Sequence, residues 1–178
     1  MKAPERIDTS RLRLRRPRPA DAETLFSRYA SDVEVTRYVG WPTHQSVDAT
    51  RAFLTLSDDE WARAPAGPYL IESRDDGRVL GGTGLGFETP HRASTGYILA
   101  RDAWGQGYAT EALQAMVSLA VALRLRRLYA LCHVDHRSSA RVLEKCSFER
   151  EGILRRYSAF PNLDAGEICD VWCYARIF

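Results

Sequence analysis

The run Trp104-Gly105-Gln106-Gly107-Tyr108-Ala109-Thr110 sets two glycines two residues apart, directly ahead of a helical pattern. Glycine lets the backbone approach a ligand closely, and the first turn of a helix carries N–H groups that lack intrahelical partners. At the positive end of the helix dipole those groups suit an anion, and a pyrophosphate above all. No Gly-Lys-Ser/Thr follows, so the triphosphate chemistry of a P-loop is not supported. A second glycine stretch, Gly81-Gly82-Thr83-Gly84-Leu85-Gly86, continues into Phe87-Glu88-Thr89-Pro90 and not into a helix. A dinucleotide fingerprint needs strand, tight turn and helix in that order. This stretch therefore reads as a glycine-rich strand with a bulge or a close ligand approach.

The elements that must hold these residues follow from periodicity. Arg11-Leu12-Arg13-Leu14-Arg15 alternates charged and apolar, the pattern of a half-exposed strand with a solvated arginine face. Arg16 to Asp21 turns into a helix whose buried side is Leu25, Phe26 and Tyr29 and which ends near Ser31-Asp32. Val39 to Pro42 is a loop, and Ser46 caps a helix reaching about Ala64. Tyr69-Leu70-Ile71 begins a strand, Asp75-Asp76-Gly77 is a hairpin turn, and Arg78 to Phe87 is the returning strand. Thr89 to Ser94 reads as a polar loop and Thr95 to Leu99 as a strand. The strongest helix runs from Gly107 to Leu123, with Ala109, Ala112, Leu113, Met116, Val117 and Ala120 at helical spacing. Leu128 to Val134 is a buried strand and Ser138 to Cys146 a short helix. Phe148 to Tyr157 and Gly166 to Ile177 are two last strands that can pair as a hairpin. Strands interleaved with helices make a mixed sheet in one α/β domain over residues 1–178, its core about 11–177.

A length of 178 residues fits one domain. The 25 basic and 23 acidic residues leave a net charge of only +2, which argues against nucleic acid as a partner. Lysine supplies only Lys2 and Lys145 of those 25, so 23 are arginine. Cys132, Cys146, Cys169 and Cys173 lack metal-ligand spacing and read as small buried or half-buried thiols; no metal is expected. The first ten residues lack an apolar signal core, and the most apolar stretch, Leu113 to Leu125, is too short to span a bilayer. A cytoplasmic protein with no membrane partner is the expectation.

Ile98-Leu99 followed by Trp104 to Ala112 resembles the acetyl-CoA-binding motif of the GNAT N-acetyltransferases, most similar to the branch of ribosomal-protein N-terminal acetyltransferases. Gly107 and Ala109 match its last two fixed positions, and Trp104 stands where Gln or Arg is usual. His136-Arg137-Ser138-Ser139-Ala140-Arg141-Val142-Leu143-Glu144-Lys145 resembles the family's Asn-x-x-Ser-x-x-Val-Leu-Glu-Lys, with His136 in place of Asn. Phe148 to Gly152 resembles Phe-x-x-Glu-Gly, with Ser147 where a Gly usually precedes the Phe. The likeness spans about Leu12 to Ile177.

The resemblance implies a single GNAT-like domain, with a mixed, mostly antiparallel central sheet splayed at the acetyl-CoA site and flanked by helices. Pantetheine would pair with backbone at Ile98, Leu99 and Ala100. The pyrophosphate would rest on Gly105, Gln106, Gly107, Tyr108, Ala109 and Thr110 beside Trp104. The thiol end would approach His136, Ser139 and Arg141. Arg101, Arg137 and Lys145 join Arg141 as cations flanking the phosphates. The implied reaction is direct acetyl transfer to a primary amine, such as a protein N-terminus or a small amine. It needs a neutral amine, an oxyanion donor and a proton for the departing thiolate. Leu99 or Ala100 would supply the oxyanion N–H, and Ser139 would act on the thiolate or cap its helix. Candidate bases are Glu88, Tyr97, His133 and Asp170, with Glu88 first. Acceptor contacts would come from Tyr38 to Trp41 and from Ser158 to Asp164, with Trp41, Phe160 and Asn162 as candidates beside Glu88. The rival readings are a non-catalytic acyl-CoA-binding module and an arginine-based nucleic-acid binder. Monomer and homodimer are both open.

Overall fold

The computed structural model describes residues 2–163 and 166–178. Its strands are β1 (Arg6–Asp8), β2 (Leu12–Arg15), β3 (Pro68–Ser73), β4 (Val79–Thr89), β5 (Arg92–Leu99), β6 (Arg127–His133), β7 (Glu149–Ala159) and β8 (Ile168–Ile177). They form one sheet in the order β1-β2-β3-β4-β5-β6-β8-β7. The helices are α1 (Ala22–Leu25), which continues as a π-helical turn over Phe26–Ala30, then α2 (Val47–Arg63), α3 (Tyr108–Ala122) and α4 (Arg137–Lys145). No helix is long and apolar enough to cross a membrane, among the described residues.

Every neighbouring strand pair is antiparallel except β5 and β6. That parallel pairing covers only Arg92↔Arg127, Ala93↔Leu128 and Ser94↔Tyr129. Beyond it, β5 stays paired with β4 as far as Leu99, and β6 stays paired with β8 as far as His133. The sheet is thus two stiff halves joined at one end, and a wedge opens between Thr95–Leu99 and Ala130–His133. The splay expected from the family likeness is present.

Residues alternate across the two faces of each strand. One face carries Ala93 and Leu99 of β5 with Leu128, Ala130 and Cys132 of β6, packed against Ala112, Leu113, Met116 and Ala120 of α3 and Leu143 of α4. The small alanines let α3 lie close to the sheet while Leu113 and Met116 fill the space between. On the other face Leu25, Tyr29 and Leu54 pack on Leu70, Val79 and Ile98. This second core covers only the end of the sheet near Ile98.

Three expectations change. The segment before Ser10 contributes β1, a short charged edge strand that only pairing with β2 reveals. Thr89 to Ser94 is not a loop. β4 and β5 pair through Thr89↔Arg92, and only Pro90 and His91 turn. The polar residues there lie on a hairpin face that no helix covers, so polarity marked exposure and not irregularity. The first helix tightens and then widens into its π turn at Phe26–Ala30, a feature periodicity does not reveal.

Candidate active site

The glycine turn has the geometry of an anion cradle. Gly105 and Gly107 adopt φ of +72° and +80°, conformations that cost little only for glycine. Gly107 is the N-cap of α3, and no side chain caps that end. The free N–H groups of the first turn therefore remain available to a ligand. Trp104 folds back so that its Nε1–H donates to the Leu99 carbonyl at 2.8 Å, which ties the turn to the end of β5. Gln106 donates to the Asp102 carbonyl at 2.7 Å. Tyr108, Ala109 and Thr110 are half-buried in the first turn of α3.

A clamp on this turn comes from residues that sequence reasoning passed over. Arg11 Nη1 donates to the Gln106 carbonyl at 2.9 Å, and its Nε donates to Glu111 at 2.7 Å. Its guanidinium lies over the Tyr108 ring, 4.7 Å from the centroid. The Thr9 hydroxyl and the Arg11 N–H both donate to the same Glu111 oxygen. Burial alone would push the Glu111 carboxyl up; the three donors outweigh it and hold it below its ordinary value. A groove of about 600 Å³ runs from Thr9 and Arg11 past Gly107 and Glu111 to Lys145. The alternation Arg11-Leu12-Arg13 predicted a solvated arginine, and nothing local marks Arg11 as different from Arg13.

Along β5 the ladder decides which backbone groups face the wedge. The Ala100 N–H donates to the Leu80 carbonyl at 2.7 Å. Register pairs Gly82 with Ile98 and Gly81 with Leu99. Hydrogen-bonded and non-bonded pairs alternate in antiparallel sheet, so Ile98 and Ala100 bond toward β4, while Tyr97 and Leu99 present their backbone groups to the wedge. With the Leu99 carbonyl taken by Trp104, its N–H is the donor that remains. Of the three residues expected to meet pantetheine, Leu99 has this orientation.

Across the wedge, the Tyr97 hydroxyl lies 3.0 Å from both the Ser139 hydroxyl and the Ser139 carbonyl. Burial raises the Tyr97 phenol far above its ordinary value, so it stays protonated and cannot serve as a base. Cys132 borders the same spot; burial pushes its thiol up to about 11, which keeps it a neutral thiol. His136 is the N-cap of α4, and burial together with neighbouring His133 lowers it to about 4, so its imidazole is neutral. Its ring packs on Tyr38 at 4.5 Å, and Tyr38 also meets His133 at 5.2 Å. His133 is buried, edge-on to Phe160, and its Nδ1 accepts the Asp135 N–H at 3.1 Å.

The remaining candidates have other partners. Glu88 is held by Arg92 at 2.8 Å and by the Tyr129 hydroxyl. It sits beside the Phe87↔Ala93 pair, four residues along β5 from Tyr97, or roughly 13 Å. Asp170 accepts the Arg156 N–H at 2.8 Å, where Arg156 has φ +46° in an irregular stretch of β7. Asn162 donates to the Thr36 and Trp41 carbonyls, both at 2.8 Å, and accepts the Thr43 N–H at 2.7 Å. It staples together the two loops expected to contact the acceptor, with both of its amide N–H groups used; Asp164 lies outside the described residues. Trp41 is half-buried against His44, and Phe160 is buried. Arg101 is committed to Asp32, while Arg137, Arg141 and Lys145 are exposed along α4.

Residues 11–149 match the acetyltransferase (GNAT) domain family. The chain is 30% identical over 176 residues to the uncharacterized N-acetyltransferase p20 of Bacillus licheniformis, covering 97% of this chain and 96% of that one. Among solved structures it resembles RimL, a ribosomal-protein α-N-acetyltransferase in complex with coenzyme A, at TM-score 0.86 and 25% identity over 98% of both chains. It shares its fold with the microcin self-immunity acetyltransferase MccE, in complex with acetyl-CoA and AMP, at TM-score 0.87 and 19% identity over 99% of this chain and 98% of that one. A splayed sheet, an uncapped glycine-turn helix and a match over most of the chain converge: this protein belongs to the GNAT family of acetyl-CoA-dependent N-acetyltransferases.

Proposed function

We propose that the protein moves the acetyl group of acetyl-CoA directly onto a primary amine, and that the amine is the α-amine of a polypeptide N-terminus. The observation that carries the transfer step is the pairing of Tyr97 with Ser139 across a wedge that also faces the Leu99 N–H. The residues present fit the co-substrate: the Gly105–Gly107 cradle is uncapped, and a side chain at either glycine would be strained. Acetyl-CoA would supply the thioester whose acetyl–sulfur bond breaks as the nitrogen–acetyl bond forms. The Leu99 N–H is fixed by its strand to meet negative charge on the carbonyl oxygen. The Ser139 hydroxyl hands its proton to the departing sulfur and regains one from solvent, and Tyr97, held protonated by burial, orients that hydroxyl. The amine loses a proton to solvent.

None of the candidate bases among the described residues is free to take the amine's proton, which favours an α-amine. With a pKa near ~7.8, about a seventh is neutral at pH 7, against about 0.04% for a lysine amine near ~10.4. Glu88 and Asp170 are already engaged, and His133 Nδ1 is occupied. A small amine is the alternative acceptor. Coenzyme A release with acetyl-CoA and a panel of free N-terminus peptides and polyamines tests the proposal. Turnover of peptides above polyamines supports it; turnover of polyamines alone overturns the acceptor, and binding without any turnover overturns the transfer.

A further inference from the structure

The glycine-rich strand set aside as a nucleotide motif acquires a place in the fold. Gly82, Gly84 and Gly86 of β4 share one face with Ser94 and Gly96 of β5, opposite α3 and α4. The second core stops at Ile98, so the strip beyond it is uncovered: Gly86 and Gly96 are exposed, and a Cβ on Gly96 would meet nothing within 4 Å. From the Gly82↔Ile98 level to the Gly86↔Ser94 level is four residues, about 13 Å of floor on which only the Ile98 side chain and the Ser94 hydroxyl, bonded to the Gly86 carbonyl, stand, with Gly84 tucked against Pro68 of β3. The strip runs alongside the wedge, on the side away from α4.

A second observation marks its inner end. Tyr29 is 4% exposed as a residue, and its hydroxyl makes no side-chain hydrogen bond among the described residues, although its oxygen is not one of the fully buried unpartnered atoms. That hydroxyl lies 3.5 Å from the position a Gly82 Cβ would take, so it points onto the strip. A hydroxyl with no protein partner is free to bond to a ligand. This one is placed to donate to, or accept from, whatever lies on Gly82.

We infer that the strip receives the first few residues of the acceptor as an extended chain, with the α-amine in the wedge, the leading peptide group on the Tyr29 hydroxyl, and the following residues against Gly84, Gly96 and Gly86. The inference rests on the α-amine reading above. With glycine at four of its six positions, the floor admits a main chain at van der Waals distance over Gly96, where a Cβ meets nothing within 4 Å. Its length exceeds what an amine head group needs and matches about four extended residues. Its charge also fits a peptide and not a polycation, because the bordering carboxylate, Glu88, is already committed to Arg92 and Tyr129.

The test compares acetylation of alanine-based peptides of two, four and six residues, free at the N-terminus and amidated at the C-terminus. In the wild type kcat/KM should rise about tenfold from the dipeptide to the hexapeptide, the effect of burying ~55 Å² of apolar surface. Gly96→Leu, at an open position with ordinary backbone angles, should reduce the hexapeptide-to-dipeptide ratio to about one. Tyr29→Phe removes a hydroxyl that no other residue uses and should raise KM for every length about five- to tenfold, the loss of one hydrogen bond. Melting temperature and acetyl-CoA affinity, measured by calorimetry, report folding of both variants. Peptide acetylation with no length dependence, or a length dependence that survives Gly96→Leu, overturns the strip and leaves the α-amine reading standing. Acetylation of polyamines but of no peptide overturns both.

Discussion

Tyr97 and Ser139 form a pair whose roles a double-mutant cycle can separate. If Ser139 gives its proton to the departing thiolate, Ser139→Ala removes a general acid, a loss that ranges from ~10²- to ~10⁴-fold. A thiol of pKa near ~8.5 is a good leaving group even unprotonated, which places this case near ~10²-fold in kcat, or about 2.7 kcal/mol. Tyr97→Phe keeps the ring that packs against the core and removes only the oxygen 3.0 Å from Ser139. A single hydroxyl hydrogen bond of ~0.5–1.5 kcal/mol converts to a roughly two- to twelvefold loss. Because Tyr97 acts through Ser139, the double variant should be no slower than Ser139→Ala alone. Single-turnover rates of coenzyme A release at saturating acetyl-CoA measure all four proteins free of product release. If Tyr97→Phe slows the Ser139→Ala enzyme by the same factor as the wild type, the two act independently and the orienting role is refuted. If Ser139→Ala matches the wild type, the serine only closes a helix.

Three further outcomes follow from the site. Gly107→Val places a β-branched residue at φ +80°, with Cβ 3.4 Å from Arg11 Nη2, and should weaken acetyl-CoA by at least ~100-fold in calorimetry; unchanged affinity would locate the cradle elsewhere. Arg11→Ala should weaken acetyl-CoA about tenfold, because a charged donor holding Gln106 is lost, and Arg11→Lys should not restore it, since an ammonium cannot span Gln106 and Glu111 as the guanidinium fork does; full rescue by lysine would reduce Arg11 to a point charge. His136, at about 4 when folded and ~6.5 when unfolded, binds fewer protons in the folded state between those values, so stability falls as pH drops from about 6.5 to 4, by up to ~3 kcal/mol. Urea midpoints across that window should lose part of their pH slope in His136→Asn, and an identical slope would show that His136 protonates freely.

What could be read from the sequence was whatever is encoded locally. The cradle needs two glycines and a helix start within seven residues, so Trp104 to Thr110 announced it unaided. Ser139 and its helix were recognisable by the ordered residues around them. The wedge was legible only through family likeness, since it depends on where pairing between β5 and β6 stops, and both strands simply look like strands. The clamp was not legible, because Arg11 and Glu111 lie 100 positions apart and nothing in an alternating strand distinguishes an arginine that folds over a helix from one in solvent. Asn162 shows the opposite failure. Its loop was singled out for acceptor contact, but a polar residue in a loop can grip a ligand or grip the backbone, and the three contacts to Thr36, Trp41 and Thr43 show Asn162 gripping the backbone.

The arginine excess has a structural consequence at this site. Arg28 and Arg78 both bind Asp102, joining the first helix and the β3–β4 hairpin to the segment after β5. Arg101 binds Asp32 at the end of the first helix, and Arg11 binds Glu111. All four converge on residues 101–111, the stretch that carries the cradle. Each pair is partly exposed and contributes only ~0.2–1 kcal/mol, so these contacts do not account for the fold's stability. Their effect is geometric. A planar fork that bonds in two directions fixes the position of what it touches, while a flexible ammonium leaves it loose. A chain whose 25 basic and 23 acidic residues leave a net charge of only +2 can in this way still offer the proposed polyanion site. The arginines nearest the turn are neutralised by the carboxylates they position, and the free N–H groups of the helix start are left uncommitted, as the proposed acetyl-CoA cradle requires.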